Sequence, residues 1–123
     1  MKGYVANIDQ ETVRNRNFRK VLFTAKHHQL VVMSLKPGED IGMEKHDVDQ
    51  FIRVEKGRGV VEMNGTTSRI QEDSAVIVPA GTRHNVRNTS REGELKIYTV
   101  YSSPQHENGA VHTTKAEAEE EEE

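Results

Sequence analysis

Residues 60–70 read VVEMNGTTSRI. Asn64-Gly65 is the dipeptide best suited to a two-residue type I′ turn, because both turn positions need positive φ, and strand-forming runs flank it at 60–63 and 66–70. A tight β-hairpin is expected here. Upstream, residues 21–24 and 30–35 are short β-branched or aliphatic runs separated by the polar turn Lys26-His27-His28-Gln29, and Pro37-Gly38-Glu39-Asp40 closes the second of them. Further on, alternation puts Gln50, Ile52 and Val54 on one face of a strand and Phe51 and Arg53 on the other. Downstream of the hairpin, residues 75–78 form an apolar strand ended by Pro79. Gly81-Thr82 then turns the chain into a strand starting near His84, and residues 95–101 supply the last long one. About eight short strands joined by Gly, Pro, Asn and Asp turns predict an all-β sandwich or small barrel.

At 123 residues the chain has room for one core, and with 33% hydrophobic residues and no Trp that core must be built economically from half-buried strands. The absence of cysteine excludes a disulfide framework, a thiolate metal site and a cysteine nucleophile, so any metal here has only N and O ligands. The formal charge of -3 is uneven: six of the 20 acids stand at positions 117 and 119–123, which leaves 14 acids against 17 bases elsewhere. That small, scattered excess of base does not form the stripe expected of a nucleic-acid binder. The start MKGYVANIDQ lacks the apolar run of a signal peptide, and no stretch approaches a membrane span, so a cytoplasmic protein is expected. Helical periodicity is visible only at the end, where Thr114 and Glu117 resemble a capping box. The acidic run opposes a long helix, so a solubilising, mobile tail is expected. The domain reading is a barrel over residues 1–104 and a C-terminal extension over 105–123.

Inward-facing polar residues are costly in a small barrel unless they bind something or one another. Glu44 and His46, one residue apart on an extended segment, point to the same face, and carboxylate and imidazole are good ligands for first-row divalent metals. Gln50 follows on the same stretch, and His84 stands beside the Pro79-Ala80-Gly81 turn.

The two stretches holding these residues resemble the paired motifs of the cupin family of small jelly-roll barrels, the RmlC-like and sugar-isomerase-like cupins among them. The usual first motif is G-x5-H-x-H-x3 or x4-E-x6-G. PGEDIGMEKHDVDQFIRVEKG keeps that frame with Gly38, Glu44, His46, Gln50 and Gly57, but has Glu where the first His is usual and Gln where Glu is usual. The usual second motif is G-x5-P-x-G-x2-H-x3-N, and DSAVIVPAGTRHNVRN supplies Pro79, Gly81, His84 and Asn88 in register, with Asp73 in place of the opening glycine. Flanking strands extend the resemblance from about residue 21 to 101.

The resemblance implies a double-stranded β-helix jelly-roll barrel in which Glu44, His46, Gln50 and His84 bind one divalent first-row metal (Zn, Mn, Fe, Ni or Co). Open coordination positions would face a small-molecule pocket. It implies a metal-dependent enzyme acting on a sugar, sugar phosphate or keto acid by isomerisation or enolisation, with Glu44 as general base when it dissociates from the ion or sits beside it. A metal-dependent dioxygenase and a non-catalytic binding module are the alternatives. A homodimer is expected through Phe51 and neighbouring outer positions. His27 and His28 read as exposed, and His106 and His112 as part of a surface tail, with folding back over the barrel mouth or a partner subunit as the alternative. Tyr98, Tyr101, Arg53 and Arg87 become pocket groups if their strands face inward, and Met33, Met43 and Met63 read as core or pocket filler.

Overall fold

The computed structural model describes residues 2–122. In chain order the elements are α1 (Ile8–Arg14), β1 (Arg19–Thr24), β2 (Gln29–Leu35), β3 (Asp49–Lys56), β4 (Arg58–Met63) and β5 (Thr66–Gln71). They continue with β6 (Ala75–Val78), β7 (His84–Asn88), β8 (Leu95–Ser102), β9 (Val111–His112) and α2 (Lys115–Glu122). The strands form two antiparallel sheets, ordered β6-β3-β8-β2-β1-β9 and β5-β4-β7. Strands remote in sequence lie side by side, as the crossovers of a jelly roll require. Between the sheets lies the core, with Val31, Met33, Leu35, Ile52, Val54, Leu95 and Ile97 from the larger sheet facing Val61, Ile70 and Val86 from the smaller.

Local chemistry accounts for the strand ends. Asn64 and Gly65 both take positive φ, 47° and 85°, and Met63 pairs with Thr66 across the hairpin. Gly57 joins β3 to β4 at φ 94°, where an added Cβ would lie 2.5 Å from the Glu94 carbonyl oxygen, so a side chain meets both backbone strain and a clash. Asp73 takes φ 73° where the motif usually has glycine, a region Asp tolerates better than most residues, and its carboxylate accepts a 2.8 Å bond from Arg53. In β3, Gln50, Ile52 and Val54 are all buried, as alternation requires.

Three elements differ from expectation. Helix α1 has no periodic apolar stripe to announce it; Asn7 caps it by accepting from the Gln10 amide at 3.0 Å, and Thr12 is its buried residue. It packs on the outer face of the larger sheet, where the buried Lys96 ammonium donates to the Asn15 carbonyl. The tail, expected to be mobile, is the ordered helix α2. The capping box forms in both directions, Glu117 N to Thr114 Oγ1 and Thr114 N to Glu117 Oε2, each 3.2 Å. Lys115 reaches Asp40 at 2.6 Å, Glu121 meets His112 and Ala118 is buried, so specific partners offset the like-charge repulsion. The surface reading of His106 and His112 is also corrected. His112 is buried in β9, which pairs with the edge of β1, and His106 is half-buried in the segment that connects β8 to β9.

Candidate metal centre

Residues 40–44 run beside β7, bridging it at Asp40 opposite Arg87 and Glu44 opposite His84. Glu44 and His84 exchange both backbone hydrogen bonds, at 2.8 and 2.9 Å. Directly opposed residues of an antiparallel pair share a face, so these two side chains emerge together. His46 follows two residues on, its carbonyl held by the Gly81 amide at 2.7 Å where the chain turns at φ 83°. The Pro79–Gly81 turn thus ties the two motifs to each other.

The ligand-capable atoms of Glu44, His46 and His84 all lie within 4.8 Å of one another. Glu44 Oε1 is 3.7 Å from His46 Nε2, and the two imidazole centroids are 5.6 Å apart. Burial raises the Glu44 pKa, but the adjacent His46, then Arg19 and His84, outweigh that and hold it below the ordinary carboxylate range. The carboxylate is therefore ionised. His84 Nδ1 lies 2.9 Å from the Thr82 carbonyl, which can only accept, so Nδ1 carries a proton and in the neutral ring the lone pair is on Nε2.

Gln50 enters from β3 on the facing sheet. The Thr99 hydroxyl donates to the Phe51 carbonyl at 2.8 Å, leaving only lone pairs for Gln50, so the amide must turn its NH2 toward Thr99, at 2.9 Å, and its oxygen away. His46 Nε2, His84 Nε2 and Gln50 Oε1 are all buried without a hydrogen-bond partner among the described residues. Such atoms cost about 1–3 kcal/mol each when nothing meets them. Three buried, unpartnered N and O atoms beside a carboxylate, with no thiolate, form a set of ligand types suited to a divalent cation.

Tyr101 and His106 extend this wall. The buried Tyr101 ring packs edge-on against His46 at 5.4 Å and against His106 at 5.3 Å. Of the four conditional pocket groups, Tyr101 alone turns inward. Tyr98 packs with Phe51 outside, Arg53 pairs with Asp73, and Arg87 is exposed beside Asp40. Met33 is core, Met63 packs partly buried against it, and Met43 is exposed. Sequence reading missed the roles of Thr99 and Gln29. Their signal was weak: a polar residue at an inward position of an otherwise apolar strand. A concavity of about 820 Å³ is lined by Gly57, Arg58, Asp73 and Glu92 among others, and it includes none of the clustered residues.

The family model described as a cupin domain matches residues 31–101, which span both motifs and more than half of the chain. The chain belongs to the cupin family. Its likeness to a solved structure, protein BH2720 of Bacillus halodurans, is 48% in identity with a TM-score of 0.93, covering 97% of this chain and 95% of that one. Uncharacterized protein YrkC of Bacillus subtilis is 48% identical over 124 residues, 95% of this chain and 66% of YrkC. Uncharacterized protein L612 of Acanthamoeba polyphaga mimivirus is 43% identical over 112 residues, 88% of this chain and 70% of L612. This chain thus spans about two thirds of the length of these curated relatives. The cupin fold accounts for the motif frame; no helix among the described residues is long and apolar enough to cross a membrane.

Proposed function

We propose that this cupin binds one divalent first-row metal through Glu44, His46, Gln50 and His84, and that it is a metal-dependent enzyme acting on a small oxygen-rich molecule by enolisation or isomerisation. The observation that carries the reading is the convergence of Glu44 with the buried, unpartnered ring nitrogens of His46 and His84, while the Gln50 NH2 is engaged by Thr99 and its oxygen is left without a partner. When bound, the ion supplies Lewis-acid polarisation of a substrate oxygen. The residues supply the rest. Thr82 fixes the His84 tautomer, Thr99 fixes the amide, and Glu44 is the carboxylate placed to take a proton from a carbon next to that oxygen. We further propose a cytoplasmic homodimer that covers Ile77, 60% exposed, and the neighbouring Phe51–Tyr98 pair.

The test is elemental analysis of protein purified without added metal. About one first-row ion per chain is expected, falling to background in Glu44→Ala/His84→Ala. A metal-free wild type, or unchanged metal in the double variant, overturns the site. Sugar acids, sugar phosphates and 1,3-diketones are then screened under air and argon. Oxygen-dependent consumption replaces the isomerase reading with a dioxygenase, and binding without turnover replaces it with a binding module.

A further inference from the structure

Among the described residues, each of the two sheets ends in two strand edges, and all but one of these are closed or defended. β9 is only two residues long, β7 is lined by the 40–44 segment, and β5 is a polar run, TTSRIQ, that carries Arg69. The remaining edge, β6, reads Ala75-Val76-Ile77-Val78 and has no charge, no proline and no bulge within it. Natural edges are kept from pairing with other chains by such devices, and an apolar edge without them needs a cover.

The bonds on its paired side determine which backbone groups this edge offers. The Val54 amide donates to the Ser74 carbonyl at 3.0 Å, and the Val54 carbonyl accepts from the Asp73 amide at 2.8 Å. Bonded and non-bonded pairs alternate along an antiparallel ladder, so the next bonded pairs are Ile52–Val76 and Gln50–Val78. Ala75 and Ile77 therefore turn their N–H and C=O groups away from β3, toward the open edge.

An antiparallel partner must set its own outward-facing residues against these. A second copy does so about a twofold axis through Val76: Ala75 lies opposite the other copy's Ile77, Ile77 opposite its Ala75, and each pair exchanges both backbone bonds. Alanine leaves room for the isoleucine facing it. The two Ile77 side chains become diagonal neighbours on the outer face, beside Phe51, which pairs with Ile77 within each copy and packs on Tyr98. On the inner face the two Val76 side chains meet at the rim of a cavity of about 340 Å³ that Val76 lines with Val61, Met63 and Ile70. The electrostatics agree: β6 brings no like charges together, and Asp73 at its start is already paired with Arg53 at 2.8 Å.

We propose that β6 is an interaction edge whose partner is a second copy of this chain, joined antiparallel through Ala75 and Ile77 so that the two six-stranded sheets become one. A strand this short supplies few ladder bonds, and the apolar face around Ile77, Phe51 and Tyr98 supplies the rest of the contact. The proposal rests on the dimer reading above, and its test separates edge from face.

Ala75→Pro removes an N–H that faces solvent in the single chain and leaves the ladder to β3 intact; proline is tolerated at the first residue of an edge strand. The control is Thr67→Pro, whose N–H faces the open edge of β5 by the same alternation, counted from the Met63–Thr66 pair that closes the hairpin. Sedimentation equilibrium should find wild type and Thr67→Pro dimeric with equal strength. Ala75→Pro should dissociate roughly tenfold to a hundredfold more readily, the worth of two symmetry-related hydrogen bonds. By hydrogen exchange, the Ala75 and Ile77 amides should be protected in the dimer and lose that protection on dilution, while those of Thr67 and Arg69 exchange fast throughout. A dimer unweakened by Ala75→Pro, one weakened equally by Thr67→Pro, or fast exchange at 75 and 77 in the dimer overturns the edge and leaves the Phe51–Tyr98 face as the dimer contact. A wild type that is monomeric at every concentration overturns both. If Ala75→Pro does not fold, exchange at 75 and 77 in wild type decides.

Discussion

Thr99→Val removes one hydroxyl and leaves the shape of β8 nearly unchanged. In the wild type that hydroxyl accepts from the Gln50 amide at 2.9 Å and donates to the Phe51 carbonyl at 2.8 Å. Gln50 is 4% exposed, so its NH2 cannot turn to water for a replacement. A buried donor left unmet costs about 1–3 kcal/mol, which for a chain of this length lowers the melting temperature of the metal-free protein by roughly 4–12 °C. The second effect is on the metal. Without Thr99 the amide can flip, turning NH2 toward the cation in place of the oxygen, and loss of such an orienting partner lowers metal affinity about 10- to 100-fold. That is about 1.4–2.7 kcal/mol.

Two assays separate the effects: competition for Zn²⁺ against a chromophoric chelator, and melting with and without Zn²⁺. The expected result is a lower metal-free melting temperature together with a smaller rise on adding Zn²⁺, while Thr99→Ser, which keeps the hydroxyl, restores both. Zinc affinity within about twofold of wild type, alongside the stability loss, would refute the reasoning. Thr99 would then be a structural residue and Gln50 not a ligand.

Gly57→Ala should destabilise severely, by more than the roughly 1 kcal/mol of an ordinary glycine replacement, because φ 94° and the 2.5 Å approach to the Glu94 carbonyl act together; chemical denaturation measures it, and a loss under 1 kcal/mol would contradict the packing. Asp40 is held below its ordinary value of 3.8 by hydrogen bonds from Lys115 and Asn85 and by the charges of Lys115 and Arg87, against a smaller opposing effect of burial. A lowered carboxylate stabilises fully above its unfolded pKa, and the benefit fades as pH falls through the folded one. The α2 contact should therefore loosen below about pH 4, seen as faster amide exchange at 115–121, and Asp40→Asn should remove that acid step. Ile77→Lys, at a 60% exposed outer position, should turn the proposed dimer into a monomer by light scattering without changing metal content; a monomeric wild type would end that proposal.

The β-strands were legible because their ends carry their own chemistry. Asn64-Gly65 states its turn, Pro79 stops β6, and alternation around Ile52 declares a face. The convergence of Glu44 and His46 was legible as spacing, since i and i+2 on an extended chain share a side whatever the fold. Helix α1 was not, because seven residues with one buried side chain leave no period to read. His106 was not, because its placement is set by Gln29, 77 residues away, through bonds to backbone atoms that any residue at 106 would offer. Nor could sequence reveal which nitrogen of His84 carries the proton, which depends on the Thr82 carbonyl. Short-range chemistry reads out of a sequence, whereas contacts through main-chain groups leave little trace in residue identity.

The two departures from the usual cupin motif have a single physical explanation. At position 50 the neighbour is a hydroxyl whose only proton is committed to the Phe51 carbonyl, so Thr99 presents lone pairs. A carboxylate there would meet those lone pairs with its own; an amide meets them with N–H and still offers an oxygen inward. On the proposed metal reading, a neutral position 50 leaves the charge that balances a divalent ion to come from elsewhere, and Glu44 would supply it where imidazole is usual. The exchange leaves the formal charge of the four side chains unchanged while moving it outward, from a residue 4% exposed to a side chain 17% exposed. A less buried carboxylate is cheaper to desolvate than one in the core, and interaction with His46, Arg19 and His84 outweighs burial and holds the Glu44 pKa below the ordinary carboxylate range. Glu44 and Gln50 therefore form a matched pair, and Thr99 is the residue that makes the match necessary.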